Sequence, residues 1–380
     1  MTTAIRIAMI GQRGVPATFG GIERHVEEIG SRLADMGHEV IVYCRPNYSA
    51  PEQVSHRGMT LCSVRTAPTK HLEAIVHSAA ATVHAARERV DIMHYHALGP
   101  GLVSVAPRAT SRARIVQTVH GLDQERAKWG RVASGVLGLG GWLSARVPDA
   151  TVVVSRALQQ YYLARYGRPT AYICNGVDKL AAQLPPTEVL TELGLEPGRY
   201  VLYVGRLVPE KAPDTLVRAF AELADPDLRL VIAGGSSHTD RYVERLAGLA
   251  ARDPRVLMPG GVHNDRLHGL YANAAAFVLP SAVEGMPLTL LEAAAHGIPL
   301  LASDIAPHRE MLGASRPGGR YFRQGDPQDL ARALRRILAD GPAERAGSYD
   351  AVPDVHERYN WDRAAEELAA LYGEVLGRRG

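Results

Sequence analysis

The feature that most constrains the fold is an alternation, run twice, of short apolar segments with helical stretches. In the first run residues 5–10, 39–44, 91–95, 114–119, 150–154 and 171–174 read as strands. Helices are expected at 21–36, closed by Gly37, at 71–89, at 131–146, and from a Ser155 cap to Tyr166. After Asn175 and a proline-containing segment ending at Gly198 the rhythm restarts, with strands at 200–204, 228–233, 255–257, 274–279 and 299–303. Strands that alternate with helices build parallel sheets sandwiched by helices, here an α/β chain of two Rossmann-like halves. The expected division is 1–180, 181–355, and a last helical segment, 356–380. Ligands in such sheets bind beyond the carboxyl ends of the strands, so a central cleft faced by both sheets is the expected active site.

Composition narrows the class. A chain of 380 residues exceeds what one core usually supports, and 46% hydrophobic with 22% charged residues excludes a disordered or fibrous protein. Cys44, Cys62 and Cys174 are scattered and odd in number, which argues against a disulfide framework and for a reducing cytoplasm. The start of the chain reads as a strand, and the uncharged stretch 132–145 is too short to cross a bilayer, so any membrane contact would be peripheral. The first 180 residues are net basic and the remainder net acidic, summing to +3. An anionic acceptor or an anionic membrane surface therefore suits the first half, and a solvated, evenly spread surface is the competing account. No basic helix or aromatic-basic interleaving suggests nucleic acid.

Residues 280–299, PSAVEGMPLTLLEAAAHGIP, place two carboxylates about a helix start. Pro287 suits the first helical position, Gly297 the position past its end, and Pro299 forbids continuation. Glu284 then precedes the helix and Glu292 lies inside it. Backbone N–H groups at Leu288 and Thr289 favour a phosphate, while carboxylates accept hydroxyl hydrogen bonds from a ribose or sugar ring. A helix-favouring Glu284 and a solvated Glu292 is the plainer alternative.

Earlier, the first strand opens into GQRGVPATFGG, a glycine-rich connection that is not G-x-G-x-x-G, ending at Gly20 and Gly21. It could admit a phosphate or merely turn. The second strand ends Tyr43-Cys44-Arg45, without the acidic residue an NAD enzyme would use, although Arg45 could suit a 2′-phosphate. His94 and His96 share a strand face but lack a third ligand, since His71, His77 and His84 lie on a separate helix; no metal site is expected. His96 could line the cleft. His120 ends a strand before Gly121 and could donate to a sugar hydroxyl. Asp123, Arg126, Lys128 and Trp129 follow in a loop that could meet an acceptor or be a charged turn.

In the second half Gly205-Arg206-Leu207-Val208-Pro209-Glu210-Lys211 ends a strand and enters a helix near Pro213. Arg206 and Lys211 could converge on a pyrophosphate and neutralise a departing nucleoside diphosphate, or be ordinary solvated surface residues. Gly234-Gly235-Ser236 is another strand-end turn, which could touch the diphosphate or reverse the chain. Asp225-Pro226-Asp227 precedes a strand and reads as a turn, not as a metal-binding D-x-D.

Together EGMPLTLLEA, the GRLVPEK run and the Gly-Gly loop resemble the retaining GT-B glycosyltransferases of family 4, over nearly the whole chain. The resemblance implies that Glu284 contacts the transferred sugar with Gly285 and Met286 beside it, that Glu292 holds the ribose, and that Gly20 and Gly21 meet the donor phosphate. It gives Arg206 and Lys211 to the diphosphate, His120 to the C6 hydroxyl of the donor sugar, and residues 256–262 to the nucleobase. Pro287 departs from the pattern, standing where relatives often have glycine, so one backbone donor is absent. The terminal segment 361–376 resembles the helix that crosses back onto the first domain. The opening residues look most like a bacterial subgroup associated with rhamnosyl or other cell-surface polysaccharide transfer. The implied activity is retaining transfer of a sugar from a nucleotide diphosphate to an acceptor hydroxyl, without cofactor or metal. A GT-B-fold sugar-nucleotide epimerase, an NADP oxidoreductase and a non-catalytic sugar-nucleotide binder are the alternatives.

Overall fold

The computed structural model describes residues 4–17, 20–46, 48, 53–66, 73–122, 131–179, 187–237, 239–313 and 319–377. The chain forms two compact units, one of Met1–Asn175 with Asn360–Gly380, the other of Gly176–Tyr359. The unit boundaries therefore fall at 175/176 and 359/360, where the sequence placed them at 180/181 and 355/356.

The first unit contains β1 (Arg6–Ile10), β2 (Glu39–Cys44), β3 (Ser55–His56), β4 (Met59–Ser63), β5 (Ile92–His96), β6 (Arg114–Val119), β7 (Ala150–Val153) and β8 (Ala171–Tyr172). Their order in the sheet is β3-β4-β2-β1-β5-β6-β7-β8, parallel throughout except for the β3–β4 pair. Strands buried on both faces need apolar residues at every position, and β1, β2, β5 and β6 are buried along nearly all their length. The β3–β4 hairpin was missed in the sequence. Its two-residue turn uses Arg57 and Gly58, both at positive φ, which is the conformation a tight hairpin needs, but without the Asn-Gly signature that would announce it. Arg57 in its turn pairs with the buried Glu28, and His56 Nε2 meets Glu27 Oε1 at 2.6 Å, which fastens this hairpin to the helix Gly21–Asp35; Arg24 and Arg32 pair with the same Glu28 from within that helix.

Ser155 caps Arg156–Tyr166 by accepting from the Leu158 N–H, and Gly167 closes that helix at φ 62°. The last helix, Trp361–Gly377, packs on the first unit: Tyr372 bonds His94 at 2.6 Å and Asp362 pairs with Arg32 at 2.6 Å.

The second unit contains β9 (Tyr200–Val204), β10 (Arg229–Ala233), β11 (Val256–Gly260), β12 (Ala276–Leu279), β13 (Leu300–Ser303) and β14 (Gly319–Phe322), in the order β11-β10-β9-β12-β13-β14, all parallel. β14 is absent from the sequence reading; its four residues, only one of them buried, carry no apolar run. The chain winds outward from β9 to β11, then returns to β12 on the other side of β9. The first sheet does the same at β1 and β5. Loops leaving the carboxyl ends of two such neighbours diverge and open a crevice between them. Among the described residues no helix is long and apolar enough to cross a membrane.

Candidate functional site

The second unit places a cation and a carboxylate on the two loops that diverge at β9 and β12. β9 is followed by Gly205, and the chain turns through the short helix Pro209–Lys211 to Ala212 at φ 48° before Pro213–Phe220 begins. A left-handed alanine is strained, so the surroundings must impose it. The consequence is the aim of Lys211, whose ammonium pairs with Glu284 from the β12 loop. Their side chains are only 15% and 7% exposed. Ala282 N–H also donates to Glu210 C=O at 2.8 Å, so backbone and side chain bind the two loops together.

Electrostatics at this pair are decided by the lysine. Burial pushes the Glu284 carboxyl up, but Lys211 and His308 together more than reverse this and hold it below its ordinary value. His308, fully buried after β13, has its own pKa depressed to about 4 by burial despite the attraction of Glu284. Its Nδ1 donates to Ser303 C=O at 2.8 Å. The sequence did not single out His308; it lies beyond the next strand, and only the sheet order brings it near Glu284.

Arg206 is half-buried at the start of the same loop, and its C=O accepts from the Tyr203 hydroxyl at 3.0 Å. Burial first, then the nearby Glu284, raise the Tyr203 pKa well above its ordinary value, while Arg206 opposes them. Gly234 is explained by packing. A Cβ there would stand 1.8 Å from Gly205 C=O, since Gly205 N–H donates to Ala233 C=O and Gly234 N–H to Gly260 C=O. Gly205 itself lies against the Tyr203 ring.

The helix after Glu284 spans Leu288–Ala295. Pro287 sits at its N-cap, not inside its first turn as the sequence suggested, with extended backbone and no side-chain cap. Gly285 and Met286 are buried. Leu288, Thr289, Glu292 and His296 are the half-buried positions and recur at helical spacing, so one stripe of an otherwise buried helix stays open. The buried Tyr271 donates to Glu292 Oε2 at 3.0 Å and stacks on His296, fixing the carboxylate from behind. Gly297 closes the helix at φ 63°.

The first unit puts imidazoles at its own crevice. Gly11 follows β1 at φ 119°, and a Cβ there would meet His96 C=O at 2.5 Å, so the β1 and β5 ends touch only through glycine. The loop runs back to Gly20, at φ 105°, and Gly21 begins the helix. Glu23 and Glu27 staple it by accepting from the Arg13 and Ala17 N–H groups at 3.0 Å each. One turn on, His25 is buried and its Nδ1 bonds Asn175 Oδ1 at 2.8 Å.

His96 ends β5 and His120 directly follows β6, with His96 Nδ1 and His120 Nε2 3.2 Å apart. His96 has no exposed surface, so it backs His120 and cannot reach an acceptor as the sequence proposed. His94 lies on the same face but is committed to Tyr372 and Thr118. Arg45, the candidate for a 2′-phosphate, is buried and paired with Glu73 at 3.1 Å. Asp123 and Lys128, with Arg126 and Trp129, lie outside the described residues. Asp225 Oδ1 accepts from the Asp227 N–H at 3.0 Å, the turn expected there.

The chain is similar to known proteins over nearly its whole length. Residues 19–179 match glycosyltransferase family 4, and residues 191–351 match glycosyl transferases group 1. A D-inositol 3-phosphate glycosyltransferase of Acidothermus cellulolyticus is 30% identical over 99% of this chain and 92% of its own. Among solved structures, a sucrose-phosphate synthase from Thermosynechococcus elongatus superposes with a TM-score of 0.84 at 24% identity, covering 98% of this chain and 99% of that one. Anabaena HepE in complex with UDP-glucose superposes at 0.82 with 19% identity, covering 97% and 100%. The fold is GT-B, and the chain belongs to the family 4, group 1 glycosyltransferases.

Proposed function

We propose that the chain is a retaining glycosyltransferase that moves a sugar from a nucleotide diphosphate donor to an acceptor hydroxyl. The observation that carries this reading is the buried Lys211–Glu284 pair spanning the diverging loops of the second sheet. Its lysine is held in place before any ligand arrives, and can exchange Glu284 for a diphosphate at little reorganisation cost. Arg206 shares the charge that develops on the leaving group. Glu284, released, accepts from a sugar hydroxyl, and Glu292, braced by Tyr271, accepts from the ribose. The N-terminus of Leu288–Ala295 offers backbone N–H groups to a phosphate oxygen. UDP-glucose in the Anabaena structure supports a nucleotide sugar as the ligand class.

His120 positions the donor sugar, with His96 holding its ring. Once released, Glu284 is taken up by a sugar hydroxyl and Glu292 by the ribose, so neither carboxylate is assigned as a nucleophile. We therefore assign departure and attack to the same face, with the leaving phosphate taking the acceptor proton and no metal taking part. The product is assigned to the glycan, glycolipid or glycosylated-metabolite class, and Arg45 already paired with Glu73 speaks against the NADP alternative.

A thermal-shift panel of UDP-, GDP- and dTDP-sugars identifies the donor as the one that raises the unfolding midpoint. NMR of the product then reads the anomeric configuration. Retention with acceptor-dependent turnover is expected; an isomerised sugar formed from donor alone would make the chain an epimerase, and inversion would overturn the mechanism.

A further inference from the structure

One cluster in the first unit exceeds what sugar positioning needs. His25, His96 and His120 each present a ring nitrogen within 4.8 Å of the others. They arrive from three elements: the helix after β1, the end of β5 and the end of β6. The sequence reading sought a third ligand for His94 and His96 on the helix carrying His77 and His84, and so missed a set that only the β1-β5-β6 neighbourhood assembles.

Second partners prepare the nitrogens. His25 Nδ1–H donates to Asn175 Oδ1 at 2.8 Å, which leaves the lone pair on Nε2. That Nε2 is buried without a hydrogen-bond partner among the described residues, which for a buried polar atom is costly unless it serves a ligand. His96 Nε2 contacts Met9 Sδ at 3.4 Å, so with its proton there Nδ1 is bare and turned to the cluster. A metal-binding histidine fixed through its other nitrogen has this arrangement. The 3.2 Å between His96 Nδ1 and His120 Nε2 is close to the edge, about 3.3 Å, of a tetrahedron built on Zn–N bonds of about 2.0 Å. His120 is the half-buried member, so an ion would enter past it.

We propose that His25, His96 and His120 form a binding site for one zinc-class divalent cation, with a fourth position open to water. Three neutral nitrogens suit Zn²⁺ over Mg²⁺ or Ca²⁺, which prefer oxygen. The burial of His25 and His96 favours the uncharged imidazole, which is the form that coordinates a cation. An ion on His120 Nε2 removes that nitrogen from any sugar hydroxyl. Zinc should therefore inhibit transfer reversibly, a consequence that rests on the role given to His120 above.

The test uses the full chain freed of metal. Competition with a chromophoric chelator should show one equivalent of Zn²⁺ bound, and Co²⁺ in its place should give the intense visible absorption of a tetrahedral site. His25→Gln should lose at least tenfold in affinity and weaken the Co²⁺ bands, with a thermal midpoint near the native one. Should that variant fail to fold, His120→Gln, at the half-buried position, serves the same comparison. No bound equivalent, an octahedral spectrum, or undiminished binding in the variants would overturn the proposal. Because binding is read without substrate, its outcome is independent of whether the chain proves to be a retaining transferase.

Discussion

The two sheets reverse direction in the same way yet arm the resulting crevices oppositely. At β1 and β5 the gathered groups are imidazoles that burial keeps neutral, His25 with a pKa near 4 and His96 held well below its ordinary value. At β9 and β12 a cation and a carboxylate survive burial as charges because each compensates the other. Sheet order thus determines where a ligand can be met, and the residues at the strand ends determine which kind. Neutral imidazoles can orient hydroxyls or coordinate a metal; a prepaired lysine can take up a diphosphate.

The sharpest way to break this contrast is to remove the charge from the second crevice. Lys211→Ala should lower kcat by about 10²–10³, as loss of one donor to a developing anion typically does. It should also lower stability by about 3–5 kcal/mol, because Glu284 is left buried without its lysine counter-charge. Donor consumption and urea unfolding measure the two; turnover within a few-fold of native would remove Lys211 from the chemistry.

Gly234→Ala tests whether that glycine serves packing or a ligand. With its Cβ driven against Gly205 C=O, unfolding free energy should fall by about 1–3 kcal/mol. Unchanged stability with lost donor affinity would return Gly234 to the donor. Tyr271→Phe removes the brace from Glu292 and should raise the donor KM about five- to tenfold with kcat nearly intact, the worth of about 1–1.4 kcal/mol. A fall in kcat without a change in KM would place Glu292 at the reacting centre instead.

Acid sharpens the comparison by ordering its parts. A histidine whose folded pKa lies below its unfolded 6.5 favours the unfolded chain once pH drops under that value, because the unfolded form takes the proton first. The unfolding midpoint should decline from about pH 6.5, with His25 and His94 in the first unit and His296 and His308 in the second contributing. Glu284 acts later. Its depressed pKa gives stability that is present above the unfolded 4.5 and lost only as pH falls through the lower folded value. A midpoint flat between pH 7 and 5 would contradict the neutral buried imidazoles.

Most strands of both sheets were readable because parallel strands buried on both faces are continuously apolar and bounded by turn residues, as at Tyr200–Val204 and Arg114–Val119. The Arg57-Gly58 hairpin and β14 carry no such signature. The charged half of the site was legible because Arg206, Lys211, Glu284 and Glu292 lie at fixed spacing about strand ends and one helix. The imidazole half was legible only in part. His120 stood out at its strand end, but His25 lies in a helix interior and reads there as one more residue of an amphipathic face. Its meaning depends on Asn175 and on two strands that are neighbours only in space. His96 was placed correctly and given the wrong surroundings, since period-two alternation tells which face a residue shares and not how deeply that face is covered.

The central claim, that Lys211 exchanges Glu284 for a donor diphosphate, is tested most directly by calorimetric binding of the nucleoside diphosphate and the corresponding monophosphate to the native chain and to Lys211→Ala. The account predicts that the native chain prefers the diphosphate by about tenfold or more and that the substitution largely erases this preference. An equal diphosphate preference in both proteins would contradict it.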